Sequence, residues 1–288
     1  LGHADFFLRV QMPGQRPVYR WLFTGHGLTT ALGHFFRHHK YFFIRSYPEI
    51  EYRAEYPFIY LRYVDPEMPV EVALRAWSAF VPRNVKDSSL PGGFLDFTVT
   101  NRSPKRAEVS LVWQQENLSG YAAEEVRQEH TKRRVAGARL VRMAGSLAYP
   151  DHDTSGCMSI WALPSQTQKV TSVACNPYMP NLIWPIHLTG GLSGPLFPKT
   201  LQREELSRNP TPEAPNKGWL CVQDAIAPGK SVDMNLGLTW YFPNHRSIKG
   251  TRVGHVYENW FSDSADVGRY MIRGRDRLLA ESRRLPEE

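Results

Sequence analysis

Hydrophobic and polar residues alternate with a period of two along much of the chain. In the clearest run, residues 231–240, five apolar side chains share one face: Val232, Met234, Leu236, Leu238 and Trp240. The same alternation recurs at 70–77, 95–100 and 107–113. Period-two patterning with β-branched and aromatic residues is typical of strands in antiparallel sheets that bury one face. The pattern therefore predicts an all-β chain.

Short turn sequences separate these runs. MPGQRP lies between apolar runs at 6–10 and 18–23, and NRSPK lies between the runs at 95–100 and 107–113. Proline, glycine, asparagine and serine at such positions favour turns, so each pair of runs predicts a hairpin. Further strands are predicted at 58–64, 158–163, 170–175 and 219–225. Many short strands with frequent turns predict an antiparallel β-sandwich.

Two segments depart from the strand pattern. Residues 176–216 contain eight prolines and several glycines, which predicts a long proline-rich loop outside the sheets. Residues 263–285 carry a helical apolar stripe, with Ser262 or Asp263 as a cap. A helix with a basic last turn at the end of a chain is typical of a linker. We therefore expect a sandwich domain over 1–256 and a helical linker over 257–288.

Composition narrows the class of protein. The 288 residues are 42% hydrophobic, which is enough for a sizeable core, and no apolar run is long enough for a transmembrane helix. The first ten residues lack the layout of a signal peptide, and the three cysteines are too scattered for a disulfide framework. These features favour a cytoplasmic location. The net charge of +7 is spread along the chain, which argues against a nucleic-acid binder.

Motifs for metals and cofactors are weak. His34 and His38 are four residues apart, but no third ligand is evident, so we expect surface histidines and no metal. Asp151-His152-Asp153 is typical of a polar turn. The glycines at 190, 191 and 194 lack the Lys-Ser/Thr of a phosphate loop. No cofactor is expected.

Two loops have the composition of a sugar site. One contains Asp87, and the other contains Trp240, Tyr241, Asn244 and His245. Aromatic rings can stack on the C–H faces of sugars, while Asp, Asn and His can bond the hydroxyls. These five residues are the candidate substrate-binding residues. The alternative is that the aromatic residues form a seam between packed domains.

The same loops carry a resemblance to a known family. The chain resembles the N-terminal domain of glycoside hydrolase family 116, which includes non-lysosomal glucosylceramidase (bile acid β-glucosidase) and bacterial and archaeal β-glucosidases. The similar segments are 54–82, 86–117, 152–164, 231–244 and 257–285. Within them, DSSLP (87–91) and WYFPN (240–244) are the most specific motifs. The resemblance covers most of 5–285, and 176–216 matches poorly.

This resemblance implies a β-sandwich followed by an (α/α)6 catalytic domain. The whole enzyme would hydrolyse a β-glucoside or a glucosylceramide-like substrate with retention, using two carboxylates. The nucleophile and the acid/base would belong to the helical domain, so no catalytic residue is expected in this chain. The sandwich would support that domain and lend loops to the sugar site. Lipid-linked substrates would also imply a peripheral membrane contact.

Other functions stay open at this point. The chain could be a stand-alone carbohydrate-binding or protein-interaction module. It could also be enzymatic by itself, for example through Glu116 beside Asp87, which would have to lie about 5–5.5 Å apart for retention. The sequence alone does not decide between these alternatives.

Overall fold

The computed structural model describes residues 4–23, 45–120, 126–147, 151–174 and 217–284. These residues form thirteen strands: β1 (Ala4–Gln11), β2 (Val18–Trp21), β3 (Glu49–Glu55), β4 (Phe58–Val64), β5 (Val70–Trp77), β6 (Gly92–Asn101), β7 (Ala107–Glu116), β8 (Val126–Val135), β9 (Ala138–Leu147), β10 (Gly156–Leu163), β11 (Lys169–Ala174), β12 (Lys217–Ile226) and β13 (Ser231–Tyr241). They also form the helices α1 (Val85–Ser88) and α2 (Ser264–Arg283) and a 3-10 turn (Val256–Asn259). The predicted proline-rich loop at 176–216 lies outside the described residues.

The strands form two antiparallel sheets. The small sheet has the order β11-β12-β7-β1-β2, and the large sheet has the order β3-β4-β5-β6-β13-β10-β9-β8. The main core fills the space between them. It contains the alternating apolar residues that the sequence pattern identified, such as Phe97, Leu111 and Met234. The prediction of an antiparallel β-sandwich is confirmed.

One predicted hairpin is present and the other is wrong. β1 and β2 pair across the MPGQRP turn, as expected. β6 and β7 do not pair, because β6 belongs to the large sheet and β7 to the small one. Both strands direct alternate residues into the same core from opposite sides, which produces the same sequence pattern as a hairpin. The connection is fixed by Asn101, whose side-chain amide donates to the carbonyls of Lys105 (2.8 Å) and Ile226 (2.9 Å).

Three strands were not predicted from the sequence. β8 and β9 form a hairpin whose turn residues, Ala136 and Gly137, have φ of 48° and 87°. Alanine is uncommon in the left-handed region, so this turn has a weak sequence signature. The basic run 132–134 lies on β8, and β3 at the opposite edge is rich in exposed charges. Charged edge strands resist pairing with further strands, which explains why these segments are so polar.

The C-terminal helix packs on the outer face of the large sheet. The sequence predicted a helix over 263–285, and α2 begins after Asp263, whose carboxylate accepts from the amide of Asp266 at 2.7 Å. Its buried stripe includes Val267, Met271 and Leu278. These side chains form a second core with residues of the large sheet: Phe58, Trp77, Phe94, Leu140 and Trp161. The large sheet is therefore covered on both faces along part of its width.

Two contacts set how closely α2 approaches the sheet. The Trp161 ring lies over Gly237 of β13, so that a β-carbon at Gly237 would overlap the ring. At the start of the helix, the Thr239 hydroxyl donates to the carbonyl of Ser264 at 2.7 Å, and the hydroxyls of Ser264 and Ser159 are 2.7 Å apart. All three of these hydroxyl-bearing residues are fully buried. The glycine and the small polar residues together allow the helix to pack closely.

We expect Gly237→Ala to lower the free energy of unfolding by about 2–3 kcal/mol, because the added methyl group must displace a buried tryptophan ring. Chemical denaturation measures the effect. Gly93→Ala is the matched control, since Gly93 lies on the neighbouring strand and its β-carbon would be 3.4 Å from the nearest atom. Equal losses in the two variants would contradict this account of helix packing.

Candidate functional site

The two candidate loops lie at the same end of the large sheet. The amide of Trp240, near the end of β13, donates to the carbonyl of Pro91 at 2.9 Å. Pro91 directly precedes β6 and closely follows α1, which contains Asp87. The sheet therefore brings DSSLP and WYFPN together, although about 150 residues separate them in the sequence. Residues 242–258, which lead from β13 toward α2, complete this end of the molecule.

A row of aromatic rings runs through this region. Tyr241 and Tyr257 have ring centroids 5.7 Å apart, Tyr257 and His255 stack at 4.9 Å, and His255 and His245 are also 4.9 Å apart. We call these four residues the ring cluster. His245 and His255 are exposed, whereas Tyr257 is buried. The two imidazole rings are therefore the solvent-facing part of the cluster. Trp240 is 36% exposed, but it precedes Tyr241 on the same strand and so lies on the other face of the sheet.

The sequence identified only half of this cluster. Tyr241 and His245 were predicted as site residues, whereas His255 and Tyr257 were not. They follow a separate turn, and nothing in their local pattern shows that the chain folds back onto WYFPN. The only available indication was a concentration of rings at 255–261.

Hydrogen bonds fix the backbone beneath the rings. The Tyr257 hydroxyl donates to the carbonyl of Phe242 at 3.0 Å and lies 3.2 Å from the amide of the same residue. Asn244 is buried, and its amide donates to the carbonyl of His152 at 3.2 Å while its oxygen accepts from Arg252 at 3.4 Å. Asn244 therefore braces the loop from below. Its predicted contact with a sugar stays a prediction.

A second brace holds the turn before the 3-10 helix. Arg252 pairs with Glu258 at 2.6 Å, and Glu258 also accepts from the backbone amide of His255 at 2.6 Å. Gly254 has a φ of 66°, and a β-carbon there would overlap the Glu258 carboxylate. Glycine adopts this φ without strain and leaves room for the carboxylate. The ring cluster is therefore preorganised by the protein itself.

Three of the four rings favour their neutral forms: His255, Tyr241 and Tyr257. Burial and the neighbouring His245 lower the pKa of His255 below its ordinary value, so its neutral form is favoured. Burial, with the nearby Glu258, raises the pKa of both Tyr241 and Tyr257. Neutral rings with hydroxyl and imidazole edges suit a polar ligand that has no charge of its own.

Asp87 is directed toward α2. It is 1% exposed, and its carboxylate accepts hydrogen bonds from Tyr270, Arg277 and Asn84, each at 2.7 Å. Burial raises the pKa of this carboxyl, but the hydrogen bonds from Arg277 and Tyr270 outweigh it and leave the pKa below its usual range. Asp87 therefore fastens α1 to the helix. Its predicted role in binding sugar stays a prediction.

Glu116 and Asp87 do not form a catalytic pair. Glu116 ends β7 in the small sheet, whereas Asp87 packs against α2 on the outer side of the large sheet. A general acid also needs a raised pKa, and that of Asp87 is lowered. The pairing considered from the sequence is therefore absent.

The remaining motifs have structural contacts or lie outside the described residues. The 151–153 segment is an exposed turn in which Asp153 pairs with Arg246 at 3.3 Å. Cys157 and Cys221 are buried free thiols. Across the described residues, no group of three or more His, Cys, Asp or Glu could hold a metal ion. His34, His38, Cys175 and the glycines at 190–194 fall in the parts that the structure does not describe.

Comparison with known proteins identifies the family. A family model described as "beta-glucosidase 2, glycosyl-hydrolase family 116 N-term" matches residues 4–278. The chain belongs to this family. Among solved structures, the family 116 domain is similar to a chain described as a kojibiose phosphorylase from human microbiome, with 3% identity and a TM-score of 0.38. The match covers 97% of this chain and 27% of that chain. No curated protein matches.

The family 116 domain shows no membrane-spanning helix in the part that the structure describes. The family model matches residues 4–278, which include both DSSLP and WYFPN, so the resemblance seen in the sequence is confirmed.

We expect Asp87→Asn to lower the free energy of unfolding at neutral pH by about 2 kcal/mol, because Arg277 and Tyr270 lose a charged acceptor. Since the folded-state pKa is depressed, this stabilisation is present above the unfolded pKa of about 3.9 and is lost as pH falls through the folded value. The difference between wild type and variant should therefore shrink below about pH 4 in urea unfolding. Asp276→Asn, an exposed change on the same helix, is the control. A difference that persists unchanged at low pH would contradict this role.

The two exposed histidines should be electrostatically coupled. We expect His245→Gln to raise the pKa of His255, because it removes a neighbouring group whose charge lowers that pKa. The value should stay below about 6.5, since burial is the larger cause. Histidine NMR titration measures it, with His152→Gln as a control on a separate turn. An unchanged pKa for His255 in His245→Gln would show that the rings are not in contact in solution.

Proposed function

We propose that this family 116 domain is the N-terminal sandwich of a retaining β-glucosidase. It supports a helical (α/α)6 catalytic domain and lends the ring cluster to the rim of the sugar site. The observation that carries the proposal is the combination of two exposed imidazole rings with a bracing network on WYFPN and 252–258. A surface that is both exposed and preorganised is suited to binding, because little ordering entropy is lost when the ligand arrives.

The chemistry itself is assigned to the helical domain. Retaining hydrolysis needs one carboxylate to attack the anomeric carbon and another to protonate the leaving group and then activate water. Asp87 and Asp96 are buried carboxylates of the sandwich, but both are held by arginines of α2. Hydrogen bonds to arginine occupy both carboxylates, so neither is free to act as the acid/base. In this proposal the sandwich positions and recognises the substrate.

The substrate class is a β-glucoside, and a glucosylceramide-like lipid is the more specific version. One surface favours the lipid version. The turn at residues 246–253 exposes two apolar side chains: Ile248 is fully exposed and Val253 is 60% exposed. The same turn contains the basic residues Arg246 and Lys249. Apolar tips with basic neighbours can contact an anionic lipid surface. The location that fits this proposal is cytoplasmic and peripheral to a membrane.

Aryl β-glucoside hydrolysis tests the proposal. We expect no turnover by the 288-residue chain and clear turnover by the complete polypeptide that contains it, with the β-anomer of glucose released first in an NMR time course. Turnover by the 288 residues alone would place the catalytic carboxylates in the sandwich. Release of the α-anomer, or no glucosidase activity in the complete polypeptide, would also overturn the proposal.

Variants of the ring cluster test its proposed role at the rim of the sugar site. In the complete polypeptide, the double variant His245→Ala/His255→Ala should lower kcat/KM for the glucoside by about ten-fold, which corresponds to about 1.4 kcal/mol of lost binding in the transition state. Arg106→Ala, an exposed change at the turn between β6 and β7, is the control and should leave kcat/KM unchanged. Equal kcat/KM in the double variant and wild type would show that the ring cluster does not reach the sugar.

A further inference from the structure

The outer face of the large sheet carries a cavity where α2 does not cover it. Its volume is about 550 Å³, within the usual range of 300–1,000 Å³ for small-molecule sites. The cavity runs across five neighbouring strands, from β3 to β13, and α2 forms one end wall. We call it the outer trough.

The first row of side chains in the outer trough follows directly from the strand register. Residues paired across β3, β4, β5, β6 and β13 all belong to the same face: Arg53, Tyr60, Arg75, Asp96 and Asn235. From α2, Arg275 reaches the end of this row and donates to Asp96 at 2.7 Å and to Asn235 at 2.9 Å. Arg275 of α2, the helix that covers part of the outer face, therefore closes one end of the trough.

The second row lies on the same face of the sheet, two residues further along each strand. It contains the next set of paired residues: Glu51, Arg62, Ala73, Thr98 and Asp233. Four of the five are long or polar, and Ala73 at the centre is the smallest side chain in either row. A single alanine among longer neighbours leaves a depression, which is where a ligand could lie in contact with both rows.

The charges of the outer trough largely compensate one another. Arg62 pairs with Glu51 at 2.9 Å, and Asp96 accepts from both Arg75 and Arg275 at 2.7 Å. Asp233 accepts from the Thr98 hydroxyl at 2.7 Å. Arginines that are already paired attract an anion weakly, but their remaining N–H groups and the carboxylate lone pairs can still bond hydroxyls. The lining therefore favours an uncharged ligand that is rich in hydroxyl groups.

One ring provides apolar surface at the opposite end. Tyr60 of the first row lines the cavity, and the guanidinium of Arg53 lies 4.4 Å from the centroid of its ring. A ring next to fixed donors and acceptors matches the two surfaces of a sugar, which has C–H patches as well as hydroxyls.

We propose that the outer trough is a binding site for a neutral saccharide. Asn235 and Tyr241 are six residues apart on β13, which places the trough about 20 Å along the strand from the ring cluster. The site therefore needs ligand contacts of its own, and the inference stands whether or not the domain serves a β-glucosidase. The five strands span about 19 Å, since adjacent strands are about 4.8 Å apart, so a short oligosaccharide would fill the trough better than a single sugar.

Titration calorimetry on the 288-residue chain tests the site with defined probes. Cellotetraose and maltotetraose represent neutral saccharides, and a heparin tetrasaccharide and inorganic phosphate represent anions. We expect one neutral probe to bind with a dissociation constant below about 1 mM, and the anions to bind at least about ten-fold more weakly. No binding of either neutral probe up to about 10 mM, or preferential binding of an anion, would overturn the proposal.

Two variants locate the binding. Ala73→Tyr fills the depression and should weaken saccharide affinity at least about ten-fold. Glu108→Tyr places the same ring at an exposed position on β7 in the other sheet and should leave the affinity unchanged. Circular dichroism melting confirms that each variant is folded. Tyr60→Ala serves as a second trough variant, which removes a ring instead of adding one and should also weaken binding. Full affinity in both Ala73→Tyr and Tyr60→Ala would show that the saccharide binds elsewhere, and would contradict the site.

Discussion

The close packing of α2 on the outer face of the large sheet is the constraint on which the other features depend. An eight-stranded sheet with Phe94, Trp77 and Trp161 on its outer face must bury those rings, and the small sheet covers only the inner face. The helix provides that cover because Gly237 leaves room for the Trp161 ring. Apolar burial supplies the main driving force, and buried hydrogen bonds at Ser264 fix the position of the helix start.

Two buried carboxylates extend this packing to the second half of the helix. Asp87 from α1 binds Arg277, and Asp96 from β6 binds Arg275. Such pairs contribute little net stability compared with apolar groups, but a misplaced helix would leave both carboxylates buried and unpaired. The pairs therefore select one position for α2. That position also determines where the sheet stays open, which is the outer trough, and where residues 242–258 must run between β13 and the helix.

The local sequence pattern predicted most of the strands and the C-terminal helix, but it did not predict which strands pair with one another. The alternation at 231–240 and the stripe at 263–285 predicted β13 and α2 within a few residues. The β6–β7 hairpin was wrong because alternation reports burial of one face and carries no information about which sheet a strand joins.

Among the candidate site residues, Trp240, Tyr241 and His245 reach the surface, while Asp87 and Asn244 are buried. Polar residues in a motif can bond a ligand or the protein equally well, and only the tertiary contacts distinguish the two. His255 and Tyr257 were missed for the same reason, since long-range folding brings them to WYFPN.

Native-state hydrogen exchange tests the central claim most directly. If α2 is an integral layer of the sandwich, amides near Met271 and Leu278 should exchange only through global unfolding, with opening free energies within about 1 kcal/mol of those of β10 and β13. If the helix is a loosely attached linker, its amides should exchange through local opening at free energies several kcal/mol lower than the sheet. The second result would contradict the account, because the bracing at Asp87 and the end wall of the outer trough both require a helix that stays in place.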